Sequence, residues 1–173
     1  VYKRQVAGRW AHVAGVLTAE RQLQIYVDGK PAASVEAPGL LAANPQEAME
    51  IGADEGSAAG EYSGRFGLTG LIDEVRIYHA ALNPADIERL AAGDEPSEQA
   101  EPVVAYSFEQ GKADDGSGSE NHGTVEGAVA APGKVGQALK FTGGESRPAN
   151  YLVRHHWTED LPLFARGMVL AGD

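Results

Sequence analysis

Trp10-Ala11-His12-Val13-Ala14-Gly15-Val16-Leu17 and Leu23-Gln24-Ile25-Tyr26-Val27-Asp28-Gly29-Lys30 are the two stretches that decide the fold. The first alternates with period two, placing Trp10, His12, Ala14 and Val16 on one face and Ala11, Val13, Gly15 and Leu17 on the other. Such alternation, carried by Val and Trp, is the pattern of a strand buried on at least one side. The second stretch alternates again and then meets Asp28-Gly29. Asp-Gly between two strand-like runs signals a tight hairpin, because a type I′ turn requires positive φ at both central residues. The return strand runs from Lys30 to Val35. Pro31 has no N–H to give to a ladder, so it belongs at a sheet edge or among the strand's first residues.

Working outward, Met49-Glu50-Ile51-Gly52-Ala53 reads as a short strand, and Asp54 to Gly64 as a small, polar surface loop. Leu71-Ile72-Asp73-Glu74-Val75-Arg76-Ile77-Tyr78 is the clearest strand of the chain. A helix is expected over 84–92, with Asn83 as N-cap, Pro84 at the first helical position, Asp86 in the first turn and Gly93 as the stop. Its apolar stripe is Ile87, Leu90 and Ala91, and so short a helix persists only by packing on a sheet. Val103 to Phe108 and Gly136 to Phe141 are further strands, the latter after a turn at Pro132-Gly133. Gly111 to Gly123 is a polar loop. Many short strands, frequent turn residues and a short helix give an all-β sandwich.

The bulk properties bound the function. A length of 173 residues suffices for an ordinary domain core. A net charge of -11 opposes binding to nucleic acid, itself a polyanion. With no cysteine there is neither a disulfide scaffold nor a thiolate metal site. No apolar run reaches the length of a membrane-spanning helix, so no membrane insertion is expected.

Several motifs, in order, resemble the C-terminal half of a laminin-G-like, concanavalin A-like jelly roll. They are Trp10 to Val16, Leu23 to Lys30, Ile51-Gly52-Ala53, Gly70 to Tyr78 and Ala81-Leu82-Asn83. Ala105-Tyr106-Ser107-Phe108-Glu109, Asp115-Gly116-Ser117-Gly118, Asn121-His122-Gly123-Thr124 and Gly136 to Phe141 resemble the opening of the same family. The two halves therefore stand in reversed order. Either residues 103–143 begin a second, tandem module, or they complete the first as a permuted sandwich. The organisation expected is a module half at 6–93, an acidic linker at 94–102, the opening segment at 103–143 and the start of a further, truncated segment at 144–173. Val1 to Gln5 resembles translated sequencing-adapter sequence and is set aside from fold reasoning. The whole is expected to be a fragment of a larger bacterial protein.

The resemblance implies a jelly roll that binds a glycan or an extracellular protein, without catalysis, as one of several domains of an exported protein. The expected location is extracellular, periplasmic or at the cell surface. A spacer without ligand, or an accessory domain of a glycoside hydrolase or other hydrolase, are the alternatives. The resemblance also implies a structural Ca²⁺ near the rim of the sandwich. Asp73, which alternation places on the core face with Val75 and Ile77, would give it one carboxylate. Asp115 would give another, with Ser117, Asn121 and Gly123 lending oxygens, since Ca²⁺ takes carboxylates and carbonyls. The competing reading has Asp73 capping backbone N–H groups and Asp115 making an Asx-turn. Tyr62, in the 54–64 loop, is the aromatic expected to stack on a ligand, whereas Tyr26, Tyr78 and Tyr106 are expected to be packed. His12 is expected to be packed and hydrogen-bonded, and His122 to be a turn residue. No pair of carboxylates has the arrangement a glycosidase needs: Asp73 and Glu74 are adjacent and face opposite sides of a strand, and Glu50 to Glu55 has the wrong spacing.

Overall fold

The computed structural model describes residues 8–40, 49–54, 66–97, 100–143, 152–155 and 165–171; at 54, 66, 152–155 and 165–171 only the backbone is considered. Within them the chain forms, in order, β1 (Trp10–Leu17), β2 (Gln22–Val27), β3 (Lys30–Glu36), β4 (Met49–Ile51), β5 (Ala53–Asp54), β6 (Phe66–Gly67), β7 (Thr69–Tyr78) and helix α1 (Pro84–Ala92). Then come β8 (Pro102–Tyr106), β9 (Thr124–Glu126), β10 (Val129–Pro132), β11 (Gln137–Thr142), β12 (Leu152–His155) and β13 (Ala165–Ala171). The architecture is the expected all-β sandwich of antiparallel sheets with a short helix.

The larger sheet runs β10-β11-β7-β13-β1-β2-β3, with β8 also paired to β7. A three-stranded sheet, β4-β12-β9, lies across from it, and β5 and β6 form a small pair. The turn between β2 and β3 has φ of 50° at Asp28 and 77° at Gly29, as a type I′ hairpin demands. β3, carrying Pro31, is an edge strand of the larger sheet.

β7 is long enough to serve two neighbours along one edge. Its first part, Thr69 to Ile72, pairs with β11, and its last part, Val75 to Tyr78, pairs with β8. Its other edge pairs with β13, which pairs in turn with β1. So β1 and β7 are not neighbours, and residues 165–171 join them. Tyr106 of β8 lies opposite Val75.

The alternation expected along β7 is broken. Glu74 has φ of 50°, and the pairing with β13 shifts by one residue there, which marks a bulge. As a result Ile72, Val75 and Ile77, rather than Asp73, Val75 and Ile77, belong together in the main core. Val104, Tyr106, Leu139 and Phe141 join them, and Ile51 packs from the smaller sheet. Gly52 lies against the ring of Phe141 with φ of 87°, a close approach that needs the missing side chain.

α1 covers the outer face of the larger sheet. Its Ile87 is wholly buried among Ala14, Val16 and Tyr26, a burial worth about 1.5–3 kcal/mol. Asn83 caps the helix, accepting a hydrogen bond from the N–H of Asp86 at 2.9 Å, and Gly93 ends it at φ of 88°. The acidic segment after the helix is docked at its start. Asp86 accepts bonds from the N–H of Ser97 at 2.9 Å and its hydroxyl at 3.1 Å, and Glu95 meets Arg76 at 3.5 Å.

Candidate functional site

The residues expected to share an ion belong to two separate hydrogen-bond networks. Asp73, fully buried, sits at the bulge where β7 changes partner from β11 to β8. Its Oδ2 accepts bonds from the N–H groups of Lys134 at 2.8 Å and Val135 at 2.9 Å, in the turn between β10 and β11. Its Oδ1 accepts from the N–H of Glu74 at 2.9 Å. Gly133 lets the turn close on this carboxylate: a Cβ there would lie 2.6 Å from Asp73 Oδ2. Burial pushes the Asp73 carboxyl above its ordinary value; the three N–H groups pull against that, and the charge of Glu109 adds to the rise.

Asp115 organises the 113–123 loop. Its Oδ1 accepts from the N–H groups of Ala105 at 2.8 Å and Ser117 at 3.0 Å. Its Oδ2 accepts from the Ser117 hydroxyl at 2.8 Å and the N–H of Asn121 at 2.9 Å. Asn121 extends the network: its side-chain amide donates to the Val103 carbonyl at 2.8 Å, and its own carbonyl accepts from the Tyr106 hydroxyl at 2.6 Å. The N–H of Gly123 donates to the Ala113 carbonyl at 2.8 Å. Burial alone would raise the Asp115 carboxyl, but these N–H and O–H donors outweigh it and hold it below its ordinary value.

These donors decide how well the set fits Ca²⁺. Seven N–H or O–H groups point at the two carboxylates. Each presents positive charge where a cation would have to sit. Asp73 is held by the β10–β11 turn, and Asp115 by β8 and its own loop. The set as placed does not fit a single Ca²⁺, and among the described residues no group of three His, Cys, Asp or Glu converges as metal ligands do. The arrangement matches the capping and Asx-turn reading of both aspartates.

The histidines and tyrosines complete the inventory. His122 is no left-handed turn residue; its Nδ1 accepts from the N–H of Asp115 at 3.0 Å, adding a further tie to the loop. His12 is packed as expected, but its Nδ1 is buried without a hydrogen-bond partner, and burial lowers its affinity for a proton. Tyr26, Tyr78 and Tyr106 are buried, as their patterning implied. Tyr62 and most of the 54–64 loop lie outside the described residues, as do the side chains of 144–173.

A site that the sequence did not announce lies at one rim. Tyr78, His79 and Ala80 at the end of β7, Glu101 before β8, and Ser117 and Ser119 in the Asp115 loop line a groove of about 520 Å³. Behind it the hydroxyl of Tyr78 is buried beside the Arg76 guanidinium, and Nε2 of His79 is buried without a hydrogen-bond partner among the described residues. No local signal marks this groove, because its three segments meet only once β8 has paired with β7 and Asp115 has fixed its loop.

A family model, described as the concanavalin A-like lectin/glucanases superfamily in its laminin-G form, matches residues 3–88, about half of the chain. No curated protein and no solved structure matches the chain. Among the described residues no helix is long and apolar enough to cross a membrane. The matched stretch carries β1 to β7 and the start of α1, and it is a laminin-G-like module of that superfamily, a binding or structural class of domain.

Proposed function

We propose that the chain is a non-catalytic glycan-binding module of an exported multi-domain protein, with its ligand in the rim groove beside Tyr78 and His79. The observation that carries the reading is the convergence of three distant segments on that groove, with the hydroxyls of Ser117 and Ser119 and the carboxylate of Glu101 along it. A volume of about 520 Å³ lies within the range of small-molecule sites. The absence of catalysis is supported by the engagement of Asp73 and Asp115, whose oxygens hold backbone and serine groups rather than facing a cleft. An extracellular, periplasmic or surface location goes with the same proposal and is supported by the family.

A glycan array followed by calorimetry tests the reading. Binding to one or a few oligosaccharides, weakened at least tenfold in both His79→Ala and Ser119→Ala, is the expected result. Absence of binding to any glycan would leave the spacer reading in its place.

A further inference from the structure

The segment from Asp94 to Glu101 divides the chain into two parts, and neither holds a finished sandwich. Among the described strands β7 pairs with β8, β11 and β13, all of which follow the divide. β4, which precedes it, pairs with β12, and β1 takes β13 as its second neighbour. The main core is shared in the same way. Ile51, Ile72, Val75 and Ile77 come from the first part, and Val104, Tyr106, Phe108, Leu139 and Phe141 from the second. Three glycines mark close fits across this seam: Gly52 admits the Phe141 ring, Gly133 the Asp73 carboxylate and Gly143 the Thr69 hydroxyl. Of the two buried clusters among the described residues, only the smaller one, Ala14, Val16, Tyr26 and Ile87, lies within one part.

We propose that the second part, from Pro102 on, is a separable complement of the first, and that the seam is a recognition surface that binds it without the covalent link. A junction between two independent tandem modules would be a modest and rather polar contact. This seam instead carries backbone ladders and a close-packed core, and opening it strips β7 of every strand partner it has among the described residues. Unpaired backbone groups and bare apolar surface drive two such pieces together. The linker adds proximity. Its side-chain ties are Asp86 with Ser97 and Arg76 with Glu95, and both run to the first part. A cut beyond Ser97 therefore leaves these ties and the seam in place. The same segment of a second copy fits the same surface, since the contacts are identical whichever chain supplies it. The seam needs no ligand in the rim groove, so it stands apart from the glycan reading.

The test uses the full chain with a protease site inserted after Ser97 and cut once the protein has folded. The cut chain is expected to elute as one species with the circular dichroism of the parent. Its melting temperature should rise with protein concentration, as it does for a complex of two pieces. Unfolding in urea and dilution should restore the complex, and tagged and untagged cut chains mixed in urea should return as hybrids. Asp73→Ala removes the acceptor of Lys134 and Val135 across the seam and should weaken rejoining about tenfold or more. Lys140→Ala, an exposed change on β11, should leave it within about twofold. Separation of the two pieces on cutting, melting independent of concentration, failure to rejoin, or equal rejoining of the parent and Asp73→Ala would overturn the proposal.

Discussion

Asp73 and Gly133 are sixty residues apart and in such close approach that the glycine cannot be given a side chain without striking the carboxylate, its Cβ falling 2.6 Å from Oδ2. The pair fixes the β10–β11 turn to the point where β7 changes neighbours. Gly133→Ala is expected to push the turn off the carboxylate and cost about 1–3 kcal/mol, the penalty of buried N–H groups losing their acceptor. Asp73→Ala, which strands the N–H groups of Lys134 and Val135 together, is expected to cost about 2–4 kcal/mol. Urea unfolding of both variants measures this, and values within 0.5 kcal/mol (roughly the scatter of ordinary surface changes) would refute it.

The two aspartates should respond to acid with opposite signs. Asp115 has its carboxyl lowered in the folded chain, so its stabilisation is complete above the unfolded value near about pH 4 and disappears as pH falls through the lowered folded value. Asp73 is raised, so its charged form burdens the fold at neutral pH. That burden lifts as pH falls through the raised value toward about 4. Asp115→Asn should therefore flatten the loss of stability below about pH 4, and Asp73→Asn should steepen the decline with falling pH above it. Stability measured from pH 7 to 2.5 in the parent and both variants reads the two signs directly.

Calcium should not change the melting of this chain. The donors on Asp73 and Asp115 already occupy most of the lone pairs a cation would use. Equal melting in millimolar calcium and in chelator is the expected result. A calcium-dependent rise that Asp115→Asn removes would show that the loop rearranges to take the ion.

Gly52→Ala should be among the most damaging single substitutions. The added methyl would enter the space of the Phe141 ring, and the backbone there is left-handed. A loss of about 2–4 kcal/mol is expected, typical of overpacking combined with strain at positive φ. Gly39→Ala, with open space around it, serves as the near-neutral control.

Asp86→Ala should release the segment after α1. It removes the acceptor for both Ser97 groups and the partner of the Asn83 amide. A cost of about 1–3 kcal/mol is expected, with faster proteolytic cleavage around residues 94–101 as the more telling readout.

What the sequence disclosed and what it hid divide along a physical line. β1, the Asp28-Gly29 hairpin and α1 are written in local rules, namely alternation, turn chemistry and capping, and each lies where those rules put it. The hairpin edge was legible from Pro31. The Asp115 loop was legible as a group of residues but not in its purpose, because a cluster of oxygens reads alike whether it awaits a cation or backbone N–H groups. The bulge at Glu74 left no mark, since a charged residue in a strand is ordinary and the extra residue shows only against a partner. The tie between Asp86 and Ser97 and the rim groove were invisible for the same reason: each depends on contacts between segments that have no pattern in common.

The position of β13 also sets an order of events. β1 and β7 flank a gap that residues 165–171 fill, and nothing nearer in sequence does so. During synthesis the β1–β3 hairpin and β7 leave the ribosome long before the strand that joins them. Until it arrives each holds an unpaired edge toward the other, the condition in which β proteins associate wrongly. Closing the sheet last, across so long a loop, makes for slow folding. The net charge of -11 opposes association between copies of the chain during that interval.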